Sequence, residues 1–145
     1  MPRVLTAAER EFLASGEART ASLATIDPDG RPRLVPICFV VYDDLVWTPL
    51  DEKPKAVDDP HRLARVRDIA RDPRVTVLID KWSEDWSELG WLRLDGRAQL
   101  TEALPAVVDA LRAKYPQYAD HDLERRPVIR ISIEGATSWG RLDPT

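Results

Sequence analysis

Lys53, Lys55, His61, Arg62, Arg65, Arg67 and Arg71 form a basic stretch in a chain whose formal net charge is −4. One reading is a solvated helix face with ordinary i,i+3 and i,i+4 pairs. The other is an anion site, and one detail favours it. On a helical wheel Arg62 falls in the first turn with Leu63, Val66 and Ile69, on the apolar side. A guanidinium there lies beside free backbone N–H groups and the positive end of the helix dipole, which suits a phosphate. Lys53 and Lys55 follow a strand and can reach the same place.

A second group is aromatic. Trp82, Trp86 and Trp91 cluster around the polar loop KWSEDWSELG. They could be core residues, but aromatics on a polar loop more often make an interface or cover a planar ligand. Trp47, on a strand, reads as core.

Conventional catalytic signatures are missing: the chain has no GxSxG elbow, Walker loop, GxGxxG or HExxH. Cys38 sits in an apolar run and reads as a small buried residue. His61 at a helix start and His121 in a polar segment read as surface residues. One cysteine excludes an internal disulfide and a Cys-rich zinc site, and two histidines leave little for a metal, so none is expected. No catalytic side chain can be named. If the protein is an enzyme, a bound cofactor carries the electrons.

These groups need a scaffold. Thr6 and Glu9 have capping-box spacing for a first helix that Gly16 can end in a left-handed conformation. Residues 20–26 alternate, Asp27-Pro28-Asp29-Gly30 is a strong turn, and residues 31–42 resume as one strand. Asp43-Asp44 turns the chain into a strand over 45–48. Asp59 and Pro60 suit the start of a helix over 61–72, which Asp72-Pro73 stops. Strands are expected at 74–80 and 91–100, the latter bent at Gly96. Thr101 could cap a helix over 102–115, and residues 116–126 read as irregular or weakly helical. A sixth strand covers 127–133, leaving Trp139 in the tail.

The 145 residues suit a single domain with its own core. Six strands and three helices in consecutive hairpins give α+β with a mainly antiparallel sheet, and closing it into a small barrel would remove its edges. The net charge disfavours generic nucleic-acid binding. The longest mostly apolar stretch, residues 34–42, is too short to cross a bilayer. The N-terminus lacks the apolar run of a signal peptide, so a cytoplasmic protein is expected.

In order and spacing, ASLATIDPDGRPRLVPICF, VWTPLDEKPK, RLARVRDIARDPRVTVLID and EDWSELGWLRLDGRAQL resemble the pyridoxamine 5'-phosphate oxidase-like split-barrel family, in particular its deazaflavin-dependent branch. The resemblance implies a six-stranded FMN-binding-type split β-barrel with peripheral helices. It also implies a homodimer holding isoalloxazine-type cofactors in clefts between subunits, with coenzyme F420 as the expected cofactor and FMN as the alternative.

By the same resemblance, the strand backbone along the ring is Val35, Pro36, Ile37, Cys38 and Phe39. The phosphate falls to Lys53 and Lys55, with Thr48 as a hydroxyl donor. Arg62 and Arg67 join them from the helix argument, and Arg33 faces the same region. Trp82, Trp86 and Trp91 belong to the substrate side or to the partner's part of the cleft. AVDDPH lengthens the phosphate loop relative to compact flavin-binding members. The implied reaction is hydride transfer between the cofactor and an electron-poor double bond or quinone-like acceptor. Tyr42, Tyr115 and Tyr118 qualify as proton donors by chemistry alone, so solvent is expected to protonate product. Other readings are an FMN enzyme of the same fold and a carrier that stores the cofactor without turnover.

Overall fold

The structure is a computed structural model describing residues 4–16, 18–50 and 63–143. Helix α1, Ala7–Ala14, begins with the expected capping box. Thr6 Oγ1 accepts from the Glu9 N–H at 3.1 Å, and Glu9 Oε1 accepts from the Thr6 N–H at 2.9 Å. Burial would raise the Glu9 pKa, but hydrogen bonds from Ser138 and Thr6 hold it below the usual value. The carboxylate thus both caps α1 and ties it to the last strand, through Ser138 Oγ at 2.6 Å. The helix ends at extended Ser15, whose hydroxyl bonds the Phe12 carbonyl, so Gly16 does not supply a left-handed terminus.

Strands β1 (Ala21–Ile26) and β2 (Pro32–Ile37) form the expected hairpin. Gly30 takes φ +82°, and Asp27 Oδ1 accepts from the N–H groups of Asp29 and Arg31, both at 2.9 Å. Residues 31–42 are not one strand. The chain breaks at Cys38-Phe39 and restarts as β3, Val40–Tyr42, which turns into β4, Leu45–Pro49. The turn puts Asp43 at φ 54° and Asp44 at φ 58°. Both are left-handed, as a two-residue hairpin of this hand requires. Asp44 is also held by Arg10 at 2.6 Å. Asp43→Gly, which removes a Cβ from that region, is therefore expected to stabilise the fold by up to about 1 kcal/mol, read as a higher urea midpoint.

Helix α2 spans Ala64–Arg71 behind Leu63 and stops at Asp72-Pro73 as expected; the proposed start at Asp59-Pro60 lies outside the described residues. Strands β5 (Arg74–Lys81) and β6 (Gly90–Thr101) follow, joined through a 3₁₀ turn at Trp86–Glu88. The bend at Gly96 is a register shift, where a Cβ would lie 2.2 Å from the Ser132 carbonyl oxygen. Thr101 ends β6 instead of capping a helix. Helix α3, Pro105–Lys114, starts behind Leu104 with proline in its first turn. Strand β7 runs over Val128–Gly140 and takes in Trp139, because β6 continues to pair with it as far as Gly90↔Gly140.

The seven antiparallel strands lie in the order β2-β1-β5-β6-β7-β4-β3. β2 and β3 occupy opposite edges although only Cys38 and Phe39 separate them. Three Cα steps span at most about 11 Å, so the sheet must curl until its edges approach. The result is a split barrel, not closed, with seven strands because the expected second strand divides.

Two cores follow from strand alternation. Leu23, Val46, Val77, Ile79, Leu94 and Ile131 fill the barrel with side chains of α1 and α2. On the other face, α3 packs Val107, Val108 and Leu111 against Val40, Trp47 and Val128. The outer face of β2, β1 and β5 keeps Leu34 at 71% and Leu78 at 38% exposure.

Candidate functional site

The sheet edge at β2 is the first part of the site. Among the described strands β2 pairs only with β1, and none covers its outer edge. Pro36 is exposed, Val35 and Cys38 are half-buried, and Ile37 and Phe39 are buried. Phe39 is pinned from α3. Its N–H donates to the Tyr115 hydroxyl at 3.0 Å, and its carbonyl accepts from Lys114 Nζ at 2.9 Å. The Tyr115 hydroxyl in turn donates to the Arg19 carbonyl, and the Lys114 ammonium stands 3.7 Å from the Phe39 ring centroid. The break between β2 and β3 is thus fixed by side chains more than 70 residues away.

Burial, then the neighbouring Arg19 charge, lowers the Lys114 pKa to about 8, while burial raises that of Tyr115 to about 12. A lysine depressed from 10.5 makes the unfolded chain the better proton binder between pH 8 and 10.5, so stability rises across that window. Tyr115, raised from 10, stabilises below pH 10 and loses that contribution as pH climbs through 12. Urea titrations from pH 8 to 12 should therefore show the midpoint rising and then falling, with a maximum near pH 10; Lys114→Met should remove the rise.

The second part lies where α2 meets the β1–β2 hairpin. Asp68 is 1% exposed. Its Oδ2 accepts from Arg33 Nε at 2.8 Å and from Thr25 Oγ1 at 2.7 Å, and Arg71 lies 3.5 Å from Oδ1. Burial would raise its pKa, but the bonds from Arg33, Thr25 and Arg71 hold it below the usual value. Arg33 is oriented by this pair with 42% of its side chain exposed. A helical wheel sets Asp68 away from the apolar stripe of α2, so nothing in the sequence marked it as buried.

Near this end Arg67 lines a cavity of about 350 Å³ with Val66, Ile69, Gln99 and Leu100. Thr48 is buried, in register with Ile129 and through it with Leu100. Lys53, Lys55, His61 and Arg62 lie outside the described residues. Sequence reasoning passed over Arg125 and Arg126, which sit in a segment read as irregular. They line a cavity of about 470 Å³ with Thr101, and Arg126 Nε donates to the Leu50 carbonyl. Exposed or half-exposed cations and a neighbouring uncovered strand edge fit a planar ligand with an anionic tail.

The tryptophans are at the other end. Trp82 is 68% exposed and Trp86 73%, while Trp91 is half-buried and pairs across the sheet with Trp139, itself 54% exposed. Trp86 and Trp139 flank a cavity of about 620 Å³ whose rim includes Arg141. Arg141 pairs with Glu88 at 3.0 Å. Trp139 was missed because residues 134–138 (EGATS) do not alternate in hydropathy. From Trp91 to Leu100 is nine residue steps along β6, about 30 Å of strand. One chain therefore separates the tryptophans from Thr48 and Arg67.

Of the tyrosines, only Tyr115 meets the described site, through its hydroxyl on the Phe39 backbone; Tyr118 is buried beside α3, and Tyr42 lies at the end of β3 beside Trp47. No cluster of His, Cys, Asp or Glu that could hold a metal occurs among the described residues, nor is any described helix long and apolar enough to cross a membrane.

The sequence matches the family model described as pyridoxamine 5'-phosphate oxidase over residues 5–140. No curated protein sequence matches it. Among solved structures, a conserved hypothetical protein from Mycobacterium tuberculosis is similar with a TM-score of 0.72 at 22% identity, covering 97% of this chain and 88% of that one. A heme binding protein from Mycobacterium smegmatis gives 0.71 at 18% identity, over 97% of this chain and 56% of that one. An F420 reductase gives 0.64 at 17% identity, over 88% and 94%. At these identities the structural likeness establishes the fold.

Proposed function

The chain belongs to the pyridoxamine 5'-phosphate oxidase family, and from that premise we propose that it is an oxidoreductase working with a flavin-type cofactor. The cofactor in this reading is the deazaflavin coenzyme F420, held between two copies of the chain, and the acceptor is a small electron-poor organic molecule. The observation that carries the reading is the uncovered edge of β2 beside a cation-bearing end of the barrel. The similarity to an F420 reductase favours the deazaflavin over FMN.

Bound there, the coenzyme supplies two-electron hydride chemistry. The backbone of Val35, Pro36, Ile37, Cys38 and Phe39 supports the ring, with Lys114 and Tyr115 holding the end of that segment in place. Lys53, Lys55 and Arg62 grip the acidic tail with Arg67 and Arg33, while the Thr48 hydroxyl adds a donor. Asp68 orients Arg33. Orientation and exclusion of water are the protein's contribution, and the product takes its proton from solvent.

The strand arithmetic supports a second copy. Trp91 stands about 30 Å of strand from Leu100, beside Arg67. In this reading Trp82, Trp86 and Trp91 serve the cofactor of the partner. Leu34 and Leu78, exposed on the outer face of the sheet, offer an apolar surface for the association.

Titration with the deazaflavin coenzyme, FMN and heme, followed by ring fluorescence or absorbance, tests the assignment. Saturable deazaflavin binding with weaker FMN and heme responses is expected. Tight FMN binding without a deazaflavin response would reverse the order. Reduced coenzyme that binds yet reduces no enone, quinone or nitroaromatic would mark a carrier.

A further inference from the structure

On the side of the barrel facing α3, a cavity of about 440 Å³ opens between the end of α1, strand β3 and α3. Leu13, Ala14, Val40, Val41, Ala110 and Ala113 give it apolar walls, and Arg19 and Lys114 are its cations. The Arg19 Nη2 donates to the Lys114 carbonyl at 2.8 Å, and its guanidinium lies 5.2 Å from the Tyr115 ring centroid. Lys114 Nζ bonds the Phe39 carbonyl. Arg10, Arg33, Arg74, Arg97, Arg112 and Arg141 each close an ion pair with a carboxylate. Arg19 and Lys114 close none among the described residues.

Two like charges, one of them half-buried, therefore face each other among carbonyl oxygens, ring faces and the Cys38 thiol, with no carboxylate paired to either among the described residues. An anion between them would relieve both the repulsion and the desolvation of the amine. The depressed Lys114 pKa reports the same imbalance. The apolar walls favour a ligand that brings one negative group and a hydrocarbon body, and the volume is that of a small-molecule site.

We propose that this cavity binds a small amphipathic carboxylate, its head group between Arg19 and Lys114 and its apolar body against Val40, Val41, Ala110 and Ala113. The site adjoins the cofactor segment proposed above at Cys38 and Phe39, with Lys114 common to both.

Calorimetric titration of the unliganded protein with octanoate tests the idea, with acetate and 1-octanol as probes lacking the body or the charge. Saturable octanoate binding is expected, with both controls weaker by about tenfold or more. Arg19→Gln should weaken octanoate to a similar degree. Because Lys114 also pins Phe39, a second arm uses the exposed position Ala113→Trp, which fills the cavity without touching that contact and should abolish binding. An octanoate response that does not saturate, or equal affinity in wild type, Arg19→Gln and Ala113→Trp, would overturn the proposal. The titration requires no coenzyme, so its outcome stands apart from that of the flavin-type assignment.

Discussion

Lys53→Ala/Lys55→Ala is expected to weaken coenzyme binding by about 3–6 kcal/mol, since a hydrogen bond to a charged group contributes about 1.5–3 kcal/mol. That corresponds to a dissociation constant raised by two to four orders of magnitude. The effect belongs to the charged tail and not to the ring. A tail-free deazaflavin or riboflavin analogue should therefore bind wild type and the variant alike. Raised salt should narrow the difference for the full coenzyme, because salt screens attraction between charges. Unchanged affinity for the full coenzyme would move the tail away from this loop. The site would then be sought among Arg67, Arg125 and Arg126, which line described cavities.

Asp68→Ala should lower stability by about 2–4 kcal/mol. Losing one member of a buried, hydrogen-bonded ion pair typically costs about 3–5 kcal/mol. Here Arg33 and Arg71 are 42% and 41% exposed and can turn to water, so the loss falls toward the lower end. The Thr25 hydroxyl, 2% exposed, cannot, and an orphaned buried donor alone costs about 1–3 kcal/mol.

The pH dependence separates this from simple loss of packing. The Asp68 pKa is depressed in the folded state, so its contribution is present above the ordinary carboxylate value and disappears as pH falls through the folded one. Wild type and Asp68→Asn should therefore differ clearly in urea midpoint at neutral pH and converge in acid. A gap that persists in acid would mean that the carboxylate's charge has little to do with its role. Asp68→Asn should also release Arg33 and weaken coenzyme binding, a second readout in the variant that keeps its shape.

Local chemistry was legible in the sequence wherever neighbours in the chain are partners in space. The Thr6/Glu9 box, the Asp27–Gly30 turn and the Asp72-Pro73 stop appear where their residue types put them. The break at Cys38-Phe39 was not legible. Residues 34–41 (LVPICFVV) form a mostly apolar run whose one turn-type residue, Pro36, lies inside β2 and not at the break, and the pins are Lys114 and Tyr115 from another part of the chain. The far half of β7 was hidden for a related reason: residues 134–138 read as loop in isolation and become strand by pairing with β6. Of the site, the basic and aromatic groups were visible as residue types. The separation of Arg67, beside Leu100, from Trp91 along β6 depends on register, which no local pattern carries. Asp68 was invisible because its burial comes from the β1–β2 hairpin and not from the stripe of its own helix.

A crystal structure of the protein with the deazaflavin coenzyme tests the central claim most directly. It should show the ring against the backbone of Val35 to Phe39, the acidic tail between Lys53 and Lys55, and tryptophan side chains from a second copy over the cleft. A ring bound away from β2, or a complete site built within one chain, would contradict the account.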